Sequence, residues 1–330
     1  MYIRYVFDEG SSAQNELTRG DIIREINKVP ISKIFEDVDA AKTTLIDVFG
    51  PREEGFNINV KVEKQDGTIK ETQLTKMRIT KNTVLASHVK THEIAGESKK
   101  VGYLVFNSFK ERSAYELDKA FYKFVSQDID ELILDLRYNR GGSINVAQQL
   151  ATQLAGKNVE GQTFVKYVHN GQWQHGNYSL PFSIGEATFK LNLDRVVVLT
   201  SGNTCSASEL VINALEPFVE VVTVGNTTCG KPVGMYYEPL CDDVVIAINF
   251  QLQNALGFGD YFDGLPVDCP VEETIVGNWG NPEDALYKEG LYYLEHGRCS
   301  PAAKSRTASN KVKQPEMNLP DIAWRDRDLL

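Results

Sequence analysis

No apolar run in the 330-residue chain approaches the roughly 18 residues that a membrane-crossing helix requires, so the chain as given is expected to be soluble. There is no excess of positive charge. Lys and Arg total 35 against 45 Asp and Glu, a formal net charge of −10, which removes the electrostatic footprint of a general nucleic-acid binder. No basic stretch followed by a long apolar segment and a small-residue cleavage site opens the chain, so Met1–Phe7 is not a signal peptide. It reads instead as a strand that begins abruptly, and upstream sequence is expected to be missing. Cysteine is scarce: Cys205, Cys229, Cys241, Cys269 and Cys299 are an odd set, and no two form a CxxC pair. That excludes a disulfide framework and the common zinc and redox motifs. One or two disulfides remain open, including whether Cys241 pairs with Cys269.

What is present is an ordinary globular composition, 42% hydrophobic and 24% charged, long enough for about two domains. Residues 1–80 read as a small β-rich domain. Asp21–Ile26 and Phe56–Glu63 alternate, Asp66-Gly67 marks a hairpin into Ile69–Leu74, and Val38, Ala41, Leu45 and Val48 predict one helix over Asp37–Phe49. Residues 81–98 hold a further strand and a polar stretch, a connecting segment before a second domain over 99–299. From Val101 strands and helices alternate. Strands are expected at Val101–Phe106, Glu131–Leu136, Val196–Leu199 and Val219–Val224. Helices are expected at Tyr115–Val125, from Gly142 through Leu154, at Ser206–Leu215 and at Asn281–Glu295. Asn170-Gly171 signals a hairpin between Val165–Val168 and Trp173. This order argues a mainly α/β core. Residues 300–330 form a polar tail, expected to be mobile or docked elsewhere. There are no internal repeats.

Three segments carry the chemistry. Asp135-Leu136-Arg137-Tyr138-Asn139-Arg140-Gly141-Gly142 is a buried strand ending in glycines, which let a backbone approach a ligand and turn its N–H groups outward. By itself such a pair is most simply a turn. Thr204-Cys205-Ser206-Ala207-Ser208-Glu209 opens a helix, where free N–H groups and the positive dipole end would stabilise an oxyanion. The plainer reading has Ser206 as a cap and Glu209 as the other half of a capping box. Gly225-Asn226-Thr227-Thr228-Cys229-Gly230-Lys231 places Lys231 among small and apolar residues with no acidic neighbour within six positions. Burial without a counter-ion disfavours the ammonium and suits a general base, whereas the plainer reading is a loop lysine reaching water. Pro232 after the lysine excludes a phosphate loop, which needs Ser or Thr there.

In order and spacing, with 25 positions between Ser206 and Lys231, the three segments resemble the carboxyl-terminal-processing (tail-specific) serine peptidases. Ser11–Asn27 is similar to the PDZ segment that members carry before the catalytic core, and Tyr261–Asp268 to the core's closing segment. The resemblance implies a crotonase/Clp protease-like spiral of ββα units after a partial PDZ domain. It implies a serine endopeptidase with Ser206 as nucleophile and Lys231 as general base. The N–H of Ala207 and one from Gly141 or Gly142 would form the oxyanion hole, and Glu209 and Thr228 would support the dyad. It implies no cofactor or metal, unfolded or tail-exposed polypeptide substrates bound through a C-terminus, and a periplasmic or cell-envelope location. Oligomeric state is open.

The sequence departs from the family at Met235, where many members have a glutamine that orients the lysine, and at Pro217, where some have an aspartate. The PDZ-like portion also begins at an internal strand, without the carboxylate-binding loop and first strand that grip a C-terminus, and with Met235 this makes the alternative a non-catalytic relative, a protein- or lipid-binding module on the same fold. An acyl-CoA enzyme would not need Ser206 and Lys231 in this arrangement. None of the five histidines lies in the three segments, which leaves Cys205 no evident histidine partner. His88 and His92 are i,i+4 but are expected at the surface rather than on a metal.

Overall fold

The computed structural model describes residues 1–182 and 189–304; the expected tail falls, from residue 305 on, outside the described residues. It divides into two compact units. Of the described residues, the first takes 1–82 and 274–284, the second 83–273 and 285–304.

In the first unit α1 (Ser11–Gln14) precedes β1 (Ile22–Ile26), β2 (Val29–Pro30), α2 (Ile31–Asp39), α3 (Leu45–Phe49), β3 (Asn57–Glu63) and β4 (Ile69–Thr75). The strands form one antiparallel sheet, β2-β1-β3-β4. Alternate residues Ile58, Val60 and Val62 of β3 are buried with Ile26, Leu17 and, from α2, Ile31 and Ile34. The single helix expected over 37–49 is two. Thr44 and Asp47 form a capping box, the Thr44 N–H donating to Asp47 Oδ2 at 2.8 Å and the Asp47 N–H to Thr44 Oγ1 at 3.2 Å. A box of this kind starts a new helix. Ala41, at φ +54°, closes the one before it.

The second unit contains β5 (Val84–Ile94), β6 (Glu97–Phe106), α4 (Ser113–Ser126), β7 (Glu131–Asp135), α5 (Ile144–Ala155), β8 (Thr163–His169), β9 (Tyr178–Pro181), β10 (Arg195–Thr200), α6 (Ala207–Leu215), β11 (Glu220–Gly225), β12 (Val233–Leu240), β13 (Asp243–Gln253), β14 (Cys269–Pro270), α7 (Ala285–His296) and α8 (Pro301–Lys304). A six-stranded sheet runs β14-β11-β10-β7-β6-β5, parallel except for the β5–β6 hairpin. Leu104, Leu134, Val196 and Val198 face a core shared with α4, α5 and α6. On the opposite face Gly290 of α7 lies close enough to Ile133, Val197 and Leu199 that an added Cβ would sit 3.3–3.5 Å from them. Both faces are covered, which is why β10 reads as an unbroken apolar run.

Residues 81–98, expected to connect two domains, instead supply β5, which pairs with β6 from Val84 to Ile94. The polar stretch at 96–100 is the turn and outer end of that hairpin. A second sheet, β12-β13-β8-β9, is antiparallel throughout. Its long β12–β13 hairpin has no counterpart among the expected elements. The Asn170-Gly171 turn is part of a wider connection, with Trp173 outside the strands and exposed.

His88 is half-buried rather than on the surface. It packs at a tilt against its cross-strand partner Tyr103 with ring centroids 5.0 Å apart, and its Nε2 has no hydrogen-bond partner among the described residues. His92 lies on the same strand, and i,i+4 positions of a strand stand about 13 Å apart, too far to share a metal. Burial, followed by Lys90, Lys123 and His92, pushes the His88 imidazole down to about 4. The native state therefore keeps His88 neutral where the unfolded chain protonates it near its ordinary value. This contribution is complete above about pH 6.5 and declines as pH falls toward 4. Allowing for partial exposure, about 2 kcal/mol should be lost between pH 7.5 and 4.5. Urea unfolding of wild type and His88→Phe at both pH values tests this: the variant should lose correspondingly less, and equal losses would refute the assignment.

Candidate active site

The three segments singled out in the sequence are the loops that leave the C-terminal ends of β7, β10 and β11. These strands are adjacent in the sheet and parallel, so the loops at 136–143, 201–206 and 226–232 emerge side by side. The carboxyl edge of a parallel sheet is where such folds build their sites.

Asn139 locks the first loop to the second. It is fully buried. Its Nδ2 donates to the Phe106 carbonyl at 2.9 Å, its Oδ1 accepts the Gly141 N–H at 2.9 Å, and its own carbonyl accepts from the Cys205 N–H and Ser208 Oγ. Thr204 Oγ1 adds a 2.9 Å bond to the Leu136 carbonyl. Arg137, also buried, pairs with Asp135 through Nε at 3.0 Å and Nη2 at 2.8 Å, and the Tyr103 hydroxyl donates to the same carboxylate at 2.6 Å. The Asp-Leu-Arg-x-Asn pattern is thus the polar frame of the loop. Asn139 is a site residue that the sequence analysis quoted without giving it a role.

Ser206 is the residue before α6, half-buried, and at φ +56° and ψ −114° it occupies backbone space that non-glycine residues rarely enter. Such strain persists only where the surroundings impose it. Here Glu209, fully buried, accepts the Ser206 N–H on Oε2 at 2.8 Å. The same carboxylate accepts Thr228 Oγ1 at 2.5 Å and the Gly230 N–H at 2.8 Å on Oε1, and the Lys231 N–H at 2.9 Å on Oε2. Four donors satisfy one buried charge. The main chains of Ser206 and Lys231 meet on a single oxygen atom, although 25 positions separate them in sequence.

Covalent chemistry reinforces the contact. Cys205 and Cys229 form a disulfide with Cα atoms 5.2 Å apart, one residue before Ser206 and two before Lys231. Cys269 and Cys299 form a second, and Cys241 is free and exposed. Cys241 and Cys269 are therefore not paired. Neither disulfide was fixed by the sequence spacing.

The side chain of Lys231 is half-buried, and its Nζ has no hydrogen-bond or ion-pair partner among the described residues. The lysine amine and the Ser206 hydroxyl are not hydrogen-bonded to each other in this structure. Met235, on β12, is exposed and cross-strand from Ile248. Gly141, at φ +95°, presses against the start of α6: a Cβ there would stand 2.7 Å from the Cys205 carbonyl oxygen, 2.8 Å from Ala207 N and 2.9 Å from Ser206 Cβ. Its N–H is occupied by Asn139. The Gly142 N–H has no acceptor among the described residues. In the bridge to Phe109, the Gly141 carbonyl and the Ser143 N–H make the bonds. The Ala207 N–H, at the start of α6, is likewise uncommitted.

The model of Peptidase family S41 matches residues 100–254, a span that contains all three loops. Over this span the chain is similar to peptidase family S41. Among curated relatives, the chain is 31% identical to the carboxyl-terminal-processing protease of Picosynechococcus sp. over 248 residues, 74% of this chain and 56% of that protein. It is 26% identical to the carboxy-terminal processing protease CtpB of Bacillus subtilis over 192 residues, 57% of this chain and 36% of that one. The chain thus spans about half the length of these relatives or less. A Bacteroides fragilis structure assigned as an S41 protease superposes with a TM-score of 0.74 at 26% identity, covering 89% of this chain and 77% of the other. The photosystem II D1 C-terminal processing protease superposes at 0.51 and 20% identity, covering 82% and 68%, and shares the fold.

Proposed function

We propose that this chain is a serine endopeptidase of the carboxyl-terminal-processing type, with Ser206 as nucleophile and Lys231 as general base. The observation that carries the reading is the shared Glu209 carboxylate, which joins the backbones of these two residues beside two uncommitted N–H groups. In the reaction, Lys231 Nζ takes the Ser206 proton as Oγ attacks the scissile carbonyl carbon. The oxyanion accepts from the N–H groups of Ala207 and Gly142, the second chosen over Gly141 because Asn139 already holds the Gly141 N–H. Collapse breaks the C–N bond, Lys231 returns its proton to the leaving amine, and a water deprotonated by Lys231 hydrolyses the acyl-enzyme.

Unfolded or tail-exposed polypeptides are the substrates, bound through an exposed C-terminus, and residues 1–80 are a partial PDZ-like domain. A periplasmic or envelope location accords with two disulfides, which persist in oxidising compartments. The non-catalytic alternative draws on the missing Ser206–Lys231 hydrogen bond and on Met235. Catalytic hydrogen bonds are often long without substrate and tighten in the complex, so the peptidase reading is preferred.

Incubation with an unfolded, carboxymethylated protein, followed by mass spectrometry of fragments, separates the two. Cleavage should disappear in Ser206→Ala and in Lys231→Ala while the circular dichroism of both stays native. Cleavage that survives either change would overturn the dyad, and a binding protein would show none in any of the three.

A further inference from the structure

The Cys205–Cys229 bridge lies between the two residues that must cooperate, and the carbons it ties belong to different loops of the site. Among the described residues, the other ties between the two loops are hydrogen bonds, those to Glu209 and the one from the Cys229 N–H to the Thr204 carbonyl, and these open and close on the timescale of local fluctuations. A disulfide does not open without a reductant. Solvent reaches the active-site bridge at Cys229, and it reaches the other disulfide at Cys299, since only Cys269 of that pair is completely buried.

We propose that the Cys205–Cys229 disulfide is a positioning device for the Ser206–Lys231 pair, and that its reduction by a dithiol lowers turnover without weakening substrate binding. The inference rests on the dyad reading above. In the redox step one thiolate of the dithiol attacks a sulfur of the bridge, expelling the other cysteine as thiolate and forming a mixed disulfide. The second thiol of the reagent then displaces the first cysteine. Two electrons and two protons pass to Cys205 and Cys229, and the reagent leaves as a cyclic disulfide. Neither thiol replaces the lost tether. The loop at 226–232 is then held to α6 by Glu209 and by the bond from the Cys229 N–H to the Thr204 carbonyl at 3.0 Å. Lys231 samples a wider range of positions. Displacement of a catalytic group by about 1 Å can cost on the order of a hundredfold in rate, so partial loosening should cost roughly tenfold.

The full chain is treated with increasing dithiothreitol, and the released thiols are alkylated and located by mass spectrometry. Hydrogen exchange of the peptide spanning residues 226–232 is followed alongside kcat and KM on the unfolded-protein substrate. When Cys205 and Cys229 carry the label and Cys269 and Cys299 do not, exchange at Gly230 and Lys231 should rise and kcat should fall roughly tenfold at unchanged KM, both reversing on reoxidation. A Cys205→Ala/Cys229→Ala chain should sit at the low kcat and ignore the reagent. Should that variant fail to fold, the titration of the wild-type chain decides alone. Label on both cysteines with exchange and kcat unmoved would overturn the proposal, as would a change in KM alone. If exchange responds but the oxidised chain cleaves nothing, the tether stands and the peptidase reading fails.

Discussion

Glu209→Gln should lower kcat by about a hundredfold and destabilise the second unit by roughly 2–4 kcal/mol, although only one oxygen is exchanged for an NH2 group. The native carboxylate receives two donors on each oxygen: Thr228 and Gly230 on Oε1, Ser206 and Lys231 on Oε2. A carboxamide keeps one acceptor oxygen. Whichever way it turns, its NH2 faces two donors, so two hydrogen bonds to a buried charge are replaced by donor–donor contacts. Bonds to charged groups contribute about 1.5–3 kcal/mol each, and relaxation of the loop recovers part of the loss. The less disruptive orientation costs rate as well as stability, since either pair of donors includes part of the loop bearing Lys231. Thr228→Val removes one donor to Glu209 and the acceptor of the buried Leu265 N–H, but it leaves the bonds from Ser206, Gly230 and Lys231 in place and should cost less kcat than Glu209→Gln. Urea midpoints and kcat on the unfolded substrate test the pair. A Glu209→Gln chain with wild-type midpoint and kcat would show that the carboxylate is a passive helix cap.

That distinction could not have been drawn from the sequence, where Ser206 and Glu209 satisfy the capping pattern whether or not Lys231 is near. What the sequence carried was the pattern of elements buried on two faces. Val196–Leu199 is unbroken because α6 and α7 cover opposite sides of β10, and the loops around it carry residue types whose chemistry is recognisable in order. Elements with one face in solvent were harder to read. Residues 81–98 look like a linker because the outer end of the β5–β6 hairpin is polar, and only its pairing along ten positions reveals a strand of the main sheet. The β12–β13 hairpin was missed because its apolar residues, among them Tyr237, Leu240, Val244, Ile246 and Ile248, are exposed and follow neither a buried-strand nor a helical period. The disulfides depend on which loops share a sheet edge, and that follows from strand order rather than spacing. The glycine pair was legible as a pair. Which member keeps its N–H free was not, because that depends on where the Asn139 side chain goes.

The division of labour between the two glycines gives a sharp test. Gly141→Ala should cut kcat by about a hundredfold to a thousandfold, the scale of losing one oxyanion-hole donor, and leave KM within about twofold. Two effects add. At φ +95° a Cβ is strained wherever it is placed, at about 1–2 kcal/mol. Here it also meets backbone atoms at 2.7 and 2.8 Å and Ser206 Cβ at 2.9 Å, none of them the far end of a flexible side chain. The loop must move away from the start of α6, and the Gly142 and Ala207 N–H groups separate by the same motion. Gly161→Ala isolates the backbone term, because Gly161 has φ +72° with nothing within 4 Å of the added carbon. It should lose stability on a similar scale and keep its kcat. Gly142→Ala is a poorer probe, since its Cβ would lie 2.2 Å from the Phe109 carbonyl oxygen and break the bridge that supports the loop. Steady-state kinetics of Gly141→Ala and Gly161→Ala, with thermal melts of both, decide the matter. If Gly141→Ala melts like Gly161→Ala and retains kcat within about threefold of wild type, the oxyanion does not sit between the glycine loop and α6, and the donor pair assigned here is wrong.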